Sequence, residues 1–131
     1  LKTKILLAMK IRSHRELDTY KIAFRSAVDI YNFSKAFPKE EAYSLTNQIR
    51  RASRSVCANL AEAFRKRKYP KHFVSKLSDS EAESAEVQVW LDFALEFKYI
   101  SKEQFEVLNI NYEKIIGKLV NMAAHPEKWS Y

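Results

Sequence analysis

Apolar residues recur at steps of three and four along most of the chain, and the pattern is interrupted at a few well-marked points. Leu17, Tyr20, Phe24, Ala27, Val28 and Tyr31 form the first run. Such spacing lines one face of an α-helix, which predicts a helix from about His14 to Ala36. Ser13 followed by Glu16 fits a capping box at its start. Phe37-Pro38 ends it, because the residue before proline is pushed out of helical geometry. A second run, Leu45, Ile49, Ala52, Val56, Leu60 and Ala63, predicts a helix from about Lys39 to Lys68, closed by Tyr69-Pro70. Pro70 suits the first position of the next helix.

The third segment, about Pro70 to Lys98, carries Phe73, Leu77, Val87, Trp90, Leu91, Ala94 and Phe97. Its middle, Ser78 to Ala85, is weakly apolar, so that part is either more exposed or packed against small residues. The fourth begins at Ser101, where Ser101 to Gln104 again reads as a capping box. Phe105, Leu108, Tyr112, Ile115, Ile116, Leu119 and Met122 form its stripe, and His125-Pro126 stops it. Four helices joined by short connections pack as antiparallel neighbours, so the expectation is an all-α, up-down-up-down four-helix bundle. Residues 14–124 form that bundle, 1–13 an N-terminal extension and 125–131 a tail. Met9 is a candidate initiator.

Composition agrees with long helices. One Gly and three Pro in 131 residues are too few for sheets joined by tight turns. The single cysteine, Cys57, excludes an internal disulfide and any multi-cysteine metal site. No stretch reaches the roughly 18 apolar residues of a membrane span. The apolar centre of Lys4 to Met9 is shorter than a signal peptide requires, so the expectation is a cytoplasmic protein without a membrane partner.

Charge changes the picture more. The net charge is +7, which favours polyanionic partners. From Arg50 to Lys76 nine basic residues stand against one acid, Glu62; from Leu77 to Phe97 there are six acids and no base. Opposite a core centred on Leu45 to Ala63, a 100° step per residue puts Arg50, Arg54, Arg65 and Lys68 on nearly one side of the second helix. Arg51, Lys66, Arg67 and Lys71 widen that basic region. Between Arg54 and Arg65 the same face carries Cys57, Ala58 and Ala61, small residues that let another backbone approach. Three readings stand open: a solvated face rich in helix formers, a subunit interface, or contact with a nucleic-acid backbone. Glu83 and Glu86 are available to neutralise some of the arginines. Tyr43, Phe33, Trp129 and Tyr131 fall off the core stripes and are further subunit-contact candidates.

Chemistry is sparse. His14, His72 and His125 are far apart in sequence, and the Glu-x-x-His pairs of a bundle di-metal site are absent. Glu81, Glu83 and Glu86 lack a histidine partner for acid/base work. Cys57 has no histidine near it in sequence to activate it, and one glycine cannot build a phosphate loop. Gly117 fits close helix packing. No cofactor, metal or catalytic residue is expected.

Several motifs resemble the 23S rRNA intervening-sequence proteins, also called S23 ribosomal proteins: Arg15-Glu16-Leu17 with Tyr20-Lys21, Phe37 to Glu41 with Tyr43 and Leu45, and most densely Gln48 to Ala52, Ser55-Val56 and Ala58 to Glu62. Glu86-Val87 and Tyr99 to Ser101 extend the likeness to about residues 14–122. Cys57 stands where that family usually has proline, and Ala63 where it has glycine. The resemblance implies a closed homopentamer of four-helix protomers. It also implies kinship with the accessory variability proteins of diversity-generating retroelements, which bind a reverse transcriptase and nucleic acid. The expected function is therefore a non-catalytic, nucleic-acid-associated accessory or scaffold. Arg65, Lys66, Arg67, Lys68 and Lys71 are its nucleic-acid candidates, and Arg50, Arg51, Arg54, Cys57, Ala58 and Ala61 its subunit-interface candidates. The alternative is a protein-binding adaptor whose basic residues meet its own subunits or an acidic protein such as a reverse transcriptase.

Overall fold

A computed structural model describes residues 11–130; the Met9 initiator and the Tyr131 contact lie outside them. Four helices dominate: α1 (Asp18–Ser34), α2 (Leu45–Arg65), α3 (Pro70–Glu96) and α4 (Lys102–Ala124). Three single 3-10 turns, His14–Glu16, Lys39–Glu41 and Pro126–Lys128, flank or connect them. Helix α1 packs on α2 and α4, and α3 packs on α2 and α4, which closes the four into a bundle.

Both capping boxes form. The Ser101 hydroxyl accepts from the Gln104 amide, and the Gln104 side chain accepts from the Ser101 amide. The Ser13–Glu16 box caps only a 3-10 turn, after which Leu17, in extended geometry, resets the chain before α1 starts. Helix α2 is shorter than the expected Lys39 to Lys68. Residues Lys39–Glu41 make their own turn after Pro38, and Ser44 leaves helical geometry. Helix α3 stops at Glu96 because Lys98 adopts a left-handed φ of 61°. The Tyr99 amide then donates to the Ala94 carbonyl and the Lys98 amide to the Leu95 carbonyl, satisfying carbonyls the helix end would orphan.

The core follows the sequence in α2 and α4: Leu45, Ile49, Ala52, Val56, Leu60 and Ala63, with Leu108, Tyr112, Ile115, Leu119 and Met122, are all buried. In α3 the weakly apolar middle is buried through serines. Ser80 Oγ donates to the Val56 carbonyl at 2.8 Å and Ser84 Oγ to the Ser80 carbonyl at 2.9 Å. Small side chains with an internal hydrogen bond let α2 and α3 approach closely without leaving a hydroxyl unpaired.

Helix α1 is the correction. Its buried face is Thr19, Ala23, Ser26, Ile30 and Ser34, about a quarter turn from the expected stripe. Phe24 and Tyr31 are 50% and 41% exposed, and Tyr20, Ala27 and Val28 are half-buried. Gly117 also departs from expectation. It is exposed, with nothing within 4 Å of the Cβ an alanine would add, so it does not serve close packing inside the bundle.

Candidate functional site

The displaced aromatics of α1 have somewhere to go. Tyr20, Phe24, Ala27, Val28 and Tyr31 form one wall of an open groove of ≈ 450 Å³, whose floor and other wall are Arg54, Cys57, Ala58 and Ala61 of α2. Thus the small-residue face read from the sequence and the misplaced apolar stripe of α1 are two sides of one feature. Burial raises the Cys57 thiol to a pKa of about 11, which keeps it a protonated, unreactive part of the floor.

Beside this groove lies a second hollow, lined by Ala42, Thr46, Asn47, Arg50, Arg51, Arg54, Ser55 and Ala58. Arg50 is half-buried at the seam between α1 and α2. Its Nε donates to Ser34 Oγ at 2.8 Å, and its guanidinium lies 4.7 Å from the Tyr31 ring centroid. Arg54 approaches the same ring at 5.8 Å and Lys35 at 4.8 Å. Among the described residues, no carboxylate pairs with Arg50, Arg51, Arg54 or Arg65 within 4 Å. The expected neutralisation by Glu83 and Glu86 is weak. Burial pushes the Glu83 carboxyl above its ordinary pKa, the neighbouring Glu86 pushes it further up, and Arg51 only partly offsets this.

The five basic candidates lie at the end of α2, in the turn after it and, for Lys71, in the first turn of α3. Arg65, Lys66, Lys68 and Lys71 are exposed. Lys66 and Lys68 lie in the turn beyond Arg65, however, so Lys68 does not continue the stripe of Arg50 and Arg54. Arg67 is the second correction: only 7% exposed, it donates from Nε to the Phe64 carbonyl at 2.9 Å and lies 3.7 Å over the Phe64 ring. It caps the C-terminus of α2, where carbonyls and the helix dipole favour a cation.

Sequence reading missed how the chain termini enlarge this region. An up-down bundle brings the start of α1 and the end of α4 to the α2–α3 hairpin. His14 is held below its usual pKa by burial, then by Arg15 and by Arg65, so the first turn stands beside the end of α2. The Pro126–Lys128 turn packs on α3, where Pro126 lines an open hollow together with Pro70 and Lys71. Arg12, Arg15, Lys118 and Lys128 are exposed at this end. Topology was the signal that could have found them. Among the described residues, no three His, Cys, Asp or Glu side chains are grouped to hold a metal, and no helix is long and apolar enough to cross a membrane.

The family model of the 23S rRNA-intervening sequence protein matches residues 15–121. The chain belongs to that family. Among solved structures, the chain is similar to a protein of unknown function from the S23 ribosomal protein family of Bacteroides thetaiotaomicron. Their identity is 27% and their TM-score 0.73, over 81% of this chain and 95% of that one. No curated protein matches. The family match spans both the groove and the arginines of α2, so these surfaces are part of the family's domain rather than additions to it.

Proposed function

We propose that this protein is a non-catalytic, homo-oligomeric scaffold that associates with nucleic acid, with a closed ring of five protomers as its assembly. The observation that carries the reading is the groove between α1 and α2. A single chain leaves Phe24 and Tyr31 half exposed beside Ala58 and Ala61, and a contiguous apolar hollow of this kind marks a protein contact. Light scattering on the purified chain tests it directly, and a mass equal to one chain would overturn it. Phe24→Glu and Ala61→Trp are expected to reduce the assembly to single, folded chains.

Nucleic-acid association is favoured by the basic end formed by Arg65, Lys66, Lys68 and Lys71 with Arg12 and Arg15. Binding of this kind displaces counterions, so affinity for structured RNA or duplex DNA falls steeply as salt rises. Replacing Lys66, Lys68 and Lys71 with Glu abolishes it. Affinity indifferent to both salt and these replacements would leave the adaptor reading, in which the arginines serve protein contacts alone.

A further inference from the structure

We propose that the α1/α2 groove receives the outward face of α3 from a second copy, joining protomers head to tail; this rests on the reading of the groove as a contact between copies. At 100° per residue, Ser75, Ser78, Ala82, Ala85, Val89 and Phe93 share one stripe of α3, opposite the buried Leu77, Ser84 and Leu91. All six are exposed, Val89 and Phe93 each by 45%. Between Lys71 and Glu96, which stand at its two ends, the stripe is uncharged. An amphipathic helix on a bundle surface ordinarily places charge there, so α3 presents two apolar faces and the bundle covers only one.

The two surfaces complement each other in shape and in charge. The groove has bulky walls, Phe24 and Tyr31, over a floor of Cys57, Ala58 and Ala61. A helix whose exposed side carries serine and alanine can lay its backbone close to such a floor. The groove and the adjoining hollow are rimmed by Arg50, Arg51 and Arg54 and contain no acid. The stripe is bordered by Asp79 and Glu86 on one edge and by Glu81 and Asp92 on the other.

Height along the bundle agrees as well. The Ser80–Val56 hydrogen bond fixes the level of α3 against its antiparallel neighbour α2. Counting from it in both directions puts Glu81 and Glu86 at roughly the heights of Arg54 and Arg50. A rotation about an axis running along the helices keeps heights unchanged, so it brings these carboxylates of one copy to the arginines of the next. A groove pairing with itself would instead set arginine against arginine. Since groove and stripe are different surfaces, the contact is heterologous, and its natural closed form is a ring.

The test uses two single variants, each of an exposed residue: Ala58→Trp fills the groove and Ala85→Trp spoils the stripe. Circular dichroism checks that both fold, and light scattering gives their mass. Each alone is expected to be a single chain. Mixed in equal amounts they are expected to form dimers and nothing larger, because the intact groove of one accepts the intact stripe of the other. If Ala58→Trp dissociates the assembly but Ala85→Trp leaves it whole, α3 is not the partner, although the groove remains a contact. A mixture that stays monomeric also overturns the head-to-tail pairing. A wild-type chain that is itself monomeric overturns both this inference and the reading beneath it.

Discussion

Arg50 joins α1 to α2 by setting its guanidinium 4.7 Å from the Tyr31 ring centroid while donating to Ser34 Oγ at 2.8 Å. The bond ties the final turn of α1 to the early part of α2, across a connection that makes only short turns of its own. A half-buried charge-assisted hydrogen bond contributes about 1.5 kcal/mol or more, and a partly desolvated cation–π contact about 1 kcal/mol. Arg50→Ala is therefore expected to lower unfolding free energy by about 2 kcal/mol, measured by urea titration. Arg50→Lys recovers little, since an ammonium cannot stack on the ring and meet Ser34 as a planar guanidinium does. Equal stability of Arg50→Ala and wild type would remove this role.

Arg67 and Lys66 are neighbours with opposite expected behaviour. Arg67→Ala removes the contact with the Phe64 carbonyl and ring at the end of α2 and is expected to cost about 2 kcal/mol of stability. Lys66→Ala, at an exposed position, leaves the melting temperature unchanged but weakens nucleic-acid binding. A binding defect for Arg67→Ala at full stability would reverse the assignment.

The Cys57 thiol provides a pH test. Burial lifts its pKa from 9.0 to about 11, so the folded state disfavours the thiolate. That protonated thiol contributes fully to stability below the unfolded pKa. The contribution is lost as pH rises toward 11, because the unfolded chain ionises first. Reaction with a disulfide reagent at pH 8 is expected to be slow in the native protein and to accelerate in urea. Equal rates in both states would show that the thiol is not shielded.

Two backbone positions are open to improvement. Lys98 holds a left-handed φ of 61°, which costs a residue with a Cβ about 1 kcal/mol. Lys98→Gly is expected to raise the melting temperature by a few degrees. Gly117→Ala, inside α4 with free space around it, is expected to add up to about 1 kcal/mol through helix propensity. If Gly117→Ala instead dissociates the assembly, another copy covers that part of α4.

Much of the bundle was legible before any tertiary structure. The stripes of α2 and α4 lie in the core because only one face of each is apolar, and burial then has a single solution. The boundaries were less legible. Pro38 and Ser44 delay α2, Arg67 ends it, and Lys98 stops α3 by a left-handed turn that no glycine announced. The basic end was half visible, since Arg65 to Lys71 is contiguous in sequence while Arg12, Arg15 and Lys128 reach it only through the fold.

Helix α1 marks where sequence stops deciding. Periodicity determined that it is a helix, but it offers two faces: one of aromatics, and one of Thr19, Ala23, Ser26, Ile30 and Ser34. Hydrophobicity alone favours the aromatics. The tertiary structure chose the second face: the neighbours of α1 already fill the core with Ile49, Leu60, Tyr112 and Leu119, and Ile30 with four small side chains packs closely against them. The sequence by itself determined four helices, their order and their charge. The fold decided that Phe24 and Tyr31 stand outside, beside Ala58 and Ala61, where another molecule can cover them.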